Sequence, residues 1–369
     1  MEDHRARRGA NPRQIVFLGA GVEMQCGVGH FTQRLADVME RRTPGDCGEF
    51  TLTRTEGTVS GLWQVVGDAR AVVCNFPIVA WKRVIVRPLL ALAMARLRRR
   101  RVIVIQHEWR SLNWMRRMTY IPALLLADSI VMFSPLVKRQ LAESPIVGWL
   151  VRRCVVVPLP PNIAAPREIA DSPLRQRLAS ARRDGRLVIG HFGSIYPGKQ
   201  PEAVLEIGAL LKPRGRRPLL VFIGSFIRGV DRAEEAFYER VAQLGLTSDV
   251  IVSGFVASEQ ELFGLFETVQ AFCYQLEEGL TARRASIVAC TQSGKPVVVT
   301  AAEDANEFAH HLRFQELIAR GSIVLVPRGA GNDAYADALE AAVDRPVEPT
   351  SFDFDGWWSE TAIAINAEL

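Results

Sequence analysis

The chain lacks cysteine pairs: its six cysteines, Cys26, Cys47, Cys74, Cys154, Cys273 and Cys290, are scattered, with no CxxC spacing. That excludes a sequence-legible disulfide framework, and their apolar surroundings fit buried free thiols in a reducing, cytoplasmic setting. Long hydrophobic runs are missing too. No stretch reaches the roughly eighteen consecutive apolar residues of a transmembrane helix. The basic N-terminal segment MEDHRARRGANPRQ enters a strand-like run without the apolar core of a signal peptide. No His/Cys/Asp/Glu cluster has metal-ligand spacing, so no metal is expected. No helix-turn-helix, zinc or aromatic-platform signature accompanies the arginines, which argues against nucleic acid.

What is present suits a soluble globular protein of two domains: 369 residues, 48% hydrophobic and 23% charged. The net charge of +5 is unevenly placed. RLRRRR over 96–101, the pair Arg116–Arg117 and RGRR over 214–217 concentrate it. Such runs are either solvated helix ends or a patch for anionic headgroups or phosphorylated ligands.

Short apolar runs at 15–19, 71–74, 102–105, 129–133 and 155–157 read as buried parallel strands, with helical stretches between several of them. The proline-bearing segment 158–173 has no periodicity and reads as a linker. The pattern then restarts. Strands are expected at 187–190, 219–224, 250–254, 271–274, 296–300 and 323–326, and helices at 201–211, 232–244 and 258–266. Strands alternating with helices predict an α/β chain of two doubly wound, Rossmann-like domains, with ligands at the carboxyl ends of the strands. The expected boundaries are 1–160, 161–350 and a terminal helix, 351–369, packing back on the first domain.

Glycine loops mark the candidate sites. In RLVIGHFGSIYPGK, 186–199, a strand passes into a loop with Gly193 and Ser194 and ends in Lys199 before a helix. Backbone N–H groups and a lysine there suit a phosphate. The first-domain loop AGVEMQCGVG imitates a dinucleotide fingerprint, but Met24 stands where the third glycine belongs, which disfavours a hydride-transfer cofactor. Gly27, Val28 and Gly29 precede a helix and form either a tight turn or a phosphate contact. His107, in Gln106-His107-Glu108 after the VIVI strand, lies where a doubly wound sheet places chemistry. Glu108 is equally a helix-capping acid. In EEGLTARRASIVACTQSGKPVVVT, 277–300, Arg283 and Arg284 are expected in a helix's first turn, placed to grip a diphosphate. Glu277 and Glu278 are candidate sugar contacts or ordinary loop acids.

Taken in order, these segments resemble the GT-B glycosyltransferases, particularly the retaining family 4 type. GVGHFTQRLA looks like that family's N-terminal glycine loop and helix, and the histidine of QHE like its active-site histidine. FGSIYPGK is similar to the loop whose lysine binds the donor diphosphate. Gly254, Phe255 and Val256 resemble the loop bordering the nucleotide base, and SGKPVVVT the segment after the donor helix. The chain departs from the pattern at Ser194, where the family carries arginine, and at Thr281 and Ala289, where it carries two glutamates. Arg283-Arg284-Ala285-Ser286 looks closer to a subgroup with RRGS.

The resemblance implies two domains facing across a cleft and metal-independent transfer of a sugar from a nucleotide-diphosphate donor, without a further cofactor. The acceptor is expected to be a saccharide or lipid-linked, in polysaccharide or glycoconjugate synthesis. His107 and Glu278 are the implied catalytic residues. Gly193, Ser194, Lys199, Thr281, Arg283, Arg284 and Ser286 are the implied donor contacts. Basic residues interleaved with PLLALAMARL, followed by Trp109, Trp114 and Met115, suit peripheral contact with an anionic membrane on its inner face. Two alternatives remain open: a scaffold of this fold that lost catalysis with the two glutamates, and a sugar-nucleotide epimerase.

Overall fold

The computed structural model describes residues 14–19, 27–42, 47–51, 58–78, 81, 84–227, 232–344 and 352–369. The chain forms two compact units, Met1–Pro160 with Asp355–Leu369, and Pro161–Phe354.

The first unit runs β1 (Gln14–Gly19), α1 (Gly27–Arg42), β2 (Cys47–Thr51), α2 (Val59–Asp68), β3 (Ala69–Phe76) and α3 (Val86–Leu97). It continues through β4 (Arg101–Gln106), α4 (Trp114–Leu126), β5 (Ser129–Met132), α5 (Pro135–Ala142) and β6 (Cys154–Val156). All strands pair in parallel in the order β2-β1-β3-β4-β5-β6. Helices crossing both faces bury the strands, which is why they read as continuous apolar runs rather than alternating ones. Val16, Leu18, Val72, Cys74, Val102, Val104, Ile130 and Met132 line one face of that core.

The second unit runs α6 (Pro173–Arg183), β7 (Leu187–Phe192), α7 (Pro201–Leu211), β8 (Pro218–Ile223), α8 (Ala233–Gln243), β9 (Val250–Val252) and α9 (Glu259–Thr268). Next come β10 (Ala271–Tyr274), α10 (Ala285–Thr291), β11 (Val297–Thr300), α11 (Leu312–Ala319), β12 (Ile323–Val326) and α12 (Asn332–Val343). Its parallel sheet has the order β12-β11-β10-β7-β8-β9, which reverses direction between β7 and β10. Local signals set the helix starts. The side chains of Asn113, Ser172 and Ser258 accept from backbone N–H groups at the heads of α4, α6 and α9. Pro173 and Pro201 sit in first turns, where a missing N–H costs nothing.

The last helix, α13 (Phe354–Asn366), belongs to the first unit. Thr361 Oγ1 donates to the Pro158 carbonyl at 2.9 Å, Ser129 Oγ to the Glu368 carboxylate at 2.7 Å, and Arg101 Nε to the Glu368 carbonyl at 2.6 Å. The Trp358 ring lies 5.3 Å from that of Phe31 on α1. Most element ends shift by one to three residues from the sequence reading, and two of the shifts fall at candidate sites. Helix α1 starts at Gly27, so Gly27, Val28 and Gly29 form its first turn rather than a preceding loop. Strand β7 continues past Gly190 to Phe192. Gly190 is there because a Cβ would stand 2.8 Å from the Phe272 ring on β10. Strand β2 had no sequence signal, since CGEFT is short and weakly apolar.

Trp358 is buried, so Trp358→Ala is expected to destabilise the first unit by about 3–5 kcal/mol. A fall in that unit's denaturation midpoint, followed by a local probe, would measure it.

Candidate functional site

In a doubly wound sheet, neighbouring strands whose connections run in opposite directions leave a crevice at their carboxyl ends. In the second unit that point lies between β7 and β10. Their ladder is short, pairing Ala271 with Ile189 and Phe272 with Gly190. Beyond it the Tyr274 hydroxyl takes over. It accepts from the Phe192 N–H at 2.9 Å, donates to the Phe192 carbonyl at 3.0 Å, and contacts Cys290 Sγ on α10 at 3.3 Å. Burial holds the phenol neutral, its pKa well above the usual value, so it keeps the proton it donates. One side chain thereby fixes the end of β7, the end of β10 and the last turn of α10.

Directly after that clamp comes Gly193, at φ +114°. Glycine tolerates this backbone, and it also makes room. A Cβ here would meet Lys199 Nζ at 2.6 Å and Ser286 Cβ at 3.9 Å. Lys199, on the short turn Pro197–Lys199, is only 8% exposed. Its ammonium rests against the glycine, and no carboxylate pairs with it among the described residues. Burial, then the nearby Arg284 charge, lowers its pKa to about 8, with a small opposing effect from Cys290. His191, behind it on β7, is bonded to the Cys273 carbonyl at 3.0 Å. Burial and then the Lys199 charge push its pKa down to about 3, so it is a neutral core residue. Ser194, by contrast, is exposed.

The segment after β10 supplies the rest. Glu278 accepts from Arg283 at 2.7 Å and lies 3.8 Å from Arg284. Arg283 and Arg284 precede α10 rather than entering its first turn, with Arg284 at the cap position. The reason is tertiary: Glu278 ties down both arginines, and the buried Glu307 carboxylate, 25 residues on, accepts the Ala282 N–H at 3.0 Å. That pairing stabilises a turn where the sequence reading placed helix. Thr281 Oγ1 and Arg284 Nε are buried polar atoms without a hydrogen-bond partner. Ala289 is buried within α10. Thus Gly193, Lys199, Ser286, Glu278, Arg283 and Arg284 gather at one strand-end crevice.

Gly254, at φ +72°, follows β9 and lines a cavity of about 830 Å³ with Ser225, Phe226, Tyr238 and Ser253. Phe255 beside it is 57% exposed, and Val256 is half-buried.

In the first unit His107 stands one residue past β4, its backbone N–H bonded to the Phe76 carbonyl at 2.9 Å. The half-buried ring lies 5.4 Å from Phe31 and 4.9 Å from Phe133. Its Nε2 is 3.3 Å from Asn75 Oδ1. Glu108 Oε2 accepts from Ser111 Oγ at 3.1 Å, a local bond. The residues 20–26, which carry Gly21 and Met24, lie outside the described residues.

Two of the arginine runs are consumed within their own units. Arg96 pairs with Asp128, Arg98 lies 4.2 Å over the Trp63 ring, Arg100 bonds the Gly67 carbonyl and Arg101 that of Glu368. Arg214 bonds Asp333, Asp337 and Glu340, and Arg216 bonds Glu340 and Asp344. Sequence reasoning counted these charges without their partners. It also missed Tyr274 and Asn75, whose only signal is a polar side chain at the end of an apolar run, and Glu307 and Thr32, which carry no such signal. Among the described residues no group of three or more His, Cys, Asp or Glu could hold a metal ion.

Lys199 bears a testable cost. Its folded pKa lies below the unfolded one, so between about 8 and 10.5 the unfolded chain binds more protons and stability rises with pH. Lys199→Met is therefore expected to raise the melting temperature at pH 7, with a gain that shrinks as pH climbs towards 10. A pH series of thermal unfolding curves would show it.

No family model matches the chain, and no curated protein matches it in sequence. Solved structures do resemble it. Anabaena HepE in complex with UDP-glucose matches with TM-score 0.62 at 14% identity, covering 96% of this chain and 94% of that one. Sucrose-phosphate synthase of Thermosynechococcus elongatus matches at 0.58 and 13%, covering 96% of each. The UDP-GlcNAc 2-epimerase of Methanocaldococcus jannaschii matches at 0.51 and 11%, over 96% and 99%. At such identities the likeness speaks to architecture alone, and with the two parallel sheets it establishes the GT-B fold, built of two Rossmann-like domains.

Proposed function

We propose that this chain is a glycosyltransferase that moves a sugar from a nucleotide-diphosphate donor to a saccharide or lipid-linked acceptor, in polysaccharide or glycoconjugate synthesis. The observation that carries the reading is the cationic crevice: Lys199, Arg283 and Arg284 around Gly193, with Glu278 paired to both arginines. During transfer the bond from the anomeric carbon to the diphosphate oxygen breaks, and the acceptor oxygen bonds to that carbon. Negative charge grows on the departing diphosphate, and preorganised cations stabilise it most when water is excluded. Lys199 supplies a charge that desolvation makes strong, and the guanidinium groups supply planar donors suited to phosphate oxygens. Ser286, Gly193 and Ser194 border the same turn, Thr281 offers its buried hydroxyl, and Gly254, Phe255 and Val256 border the base. Glu278 orients the two arginines. His107 hydrogen-bonds a sugar or acceptor hydroxyl.

The scheme uses no metal and no further cofactor. Retention of configuration, likeness to family 4 and the RRxS variant follow from sequence resemblance. A reading as a catalytically reduced scaffold is favoured by one feature, Thr281 and Ala289 in place of the family's glutamates. The fold shared with an epimerase supports the third option.

Lys199→Ala and Arg284→Ala are each expected to weaken nucleoside diphosphate binding by about tenfold or more, the scale of one charge-assisted hydrogen bond. Because binding requires the protonated lysine, wild-type affinity should fall as pH rises through about 8. Calorimetric titration across that range checks both. Affinity indifferent to both substitutions would remove the site. Binding without turnover across a donor panel would favour the scaffold, and interconversion of donors without acceptor the epimerase.

The acceptor side carries a second reading, peripheral contact with anionic lipid. Helix α4 exposes Trp114, Met115, Met118 and Leu125 along one stripe, beside the half-buried Arg116 and Arg117. Apolar anchors beside cations suit a bilayer surface. The double substitution Trp114→Ala, Met118→Ala should abolish co-sedimentation with anionic vesicles. Wild-type protein that stays in the supernatant would refute membrane contact while leaving transfer intact.

A further inference from the structure

We propose that Asn75 and Thr32 are positioning residues that hold His107 in its Nε2–H tautomer and link it to the first turn of α1. The argument follows hydrogens along a chain. Thr32 Oγ1 donates its single hydrogen to the Val28 carbonyl at 2.8 Å. It can therefore only accept from Asn75 Nδ2, which lies 2.8 Å away. That fixes which way the amide faces, so the atom 3.3 Å from His107 Nε2 is the oxygen Oδ1. A carbonyl oxygen only accepts, so Nε2 bears the hydrogen and Nδ1 carries the lone pair.

The chain is built rather than incidental. Thr32 and Asn75 are both wholly buried, so water does not compete for their bonds. Asn75 lies on β3 and pairs with Ile105 of β4, one strand from the histidine, while Phe31 and Phe133 flank the ring. Apolar contacts set the ring plane, and the polar chain sets its proton. A neutral histidine can present either nitrogen to a ligand, and the hydrogen bond on one decides the character of the other. Here the fold assigns Nδ1 the accepting role. Its use towards a hydroxyl during transfer rests on the reading given under Proposed function. The tautomer itself does not.

Nitrogen NMR of histidine-labelled protein tests this, with the His107 signals assigned by loss in His107→Gln. Above the ring's titration, wild type should show protonated Nε2 and bare Nδ1. Thr32→Val is isosteric but neither donates nor accepts, so the Asn75 amide becomes free to turn and a mixture of tautomers is expected. Thr32→Ser keeps the hydroxyl that orients the Asn75 amide and should restore the single form. In turnover, Thr32→Val should lower kcat about tenfold with little change in donor KM. A wild-type Nδ1–H tautomer, or a Thr32→Val protein that keeps the wild-type pattern, would overturn the proposal. Inactive wild-type protein with the expected tautomers would count against the transferase reading alone.

Discussion

Among the described residues the buried Lys199 ammonium has no carboxylate beside it, and the strand-end crevice of the second unit is arranged around that charge. Taking a cation out of water is unfavourable, and the lowered pKa of Lys199 records that cost. The fold could have removed the cost by placing an acid nearby, as it does for Arg214 with its three carboxylate partners. At Lys199 it does the opposite and sets Arg284 close enough to lower the pKa further. Such a site is stabilised by an incoming anion, and the order around it exists before that anion arrives. Tyr274 supplies the order, because Gly193 and α10 are both referenced to its hydroxyl.

The first unit solves a related topology with different chemistry. Its strand ends carry a hydrogen-bonded network of His107, Asn75 and Thr32, flanked by aromatic rings, in place of clustered cations. Hydrogen bonds in a buried chain fix proton positions, whereas clustered cations fix potential. Orienting a hydroxyl and neutralising a phosphate are distinct tasks, and each unit holds side chains suited to one of them.

How much of this was legible beforehand depended on the kind of signal. Strands buried on both faces leave apolar runs, so β10 and β12 stand where the sequence reading placed them, and β7 differs by two residues at its end. Lys199 and Gly193 were legible because a glycine loop between strand and helix has few other uses. The placement of Arg283 and Arg284 was not. Helix-forming composition pointed to a first turn, but Glu278 and Glu307 hold the segment in turns, and those contacts depend on tertiary structure. The arginine runs misled for the same reason. Their partners lie more than thirty residues away in sequence for Arg96 and more than a hundred for Arg214. Tyr274 was hidden because a tyrosine ending an apolar strand looks like core until its hydroxyl is seen to replace the missing ladder bonds.

The absence of the two family glutamates then takes on a physical meaning. With Thr281 and Ala289 at those places, α10 contributes no carboxylate, and Glu278 pairs with the arginines from the preceding turn. A carboxylate on the helix would compete with a phosphate for the same guanidinium donors. Removing it leaves the crevice more positive, while Glu278, approaching Arg283 from the preceding turn, still orients the pair. In the proposed transfer, tighter grip on a diphosphate is thereby exchanged for fewer acceptors facing sugar hydroxyls. Discrimination among sugars in that transfer then falls to neutral groups such as the Thr281 hydroxyl, which is buried and has no partner among the described residues. Selectivity built on a single buried hydroxyl is strong against a ligand that leaves it unpaired and weak among ligands that satisfy it equally.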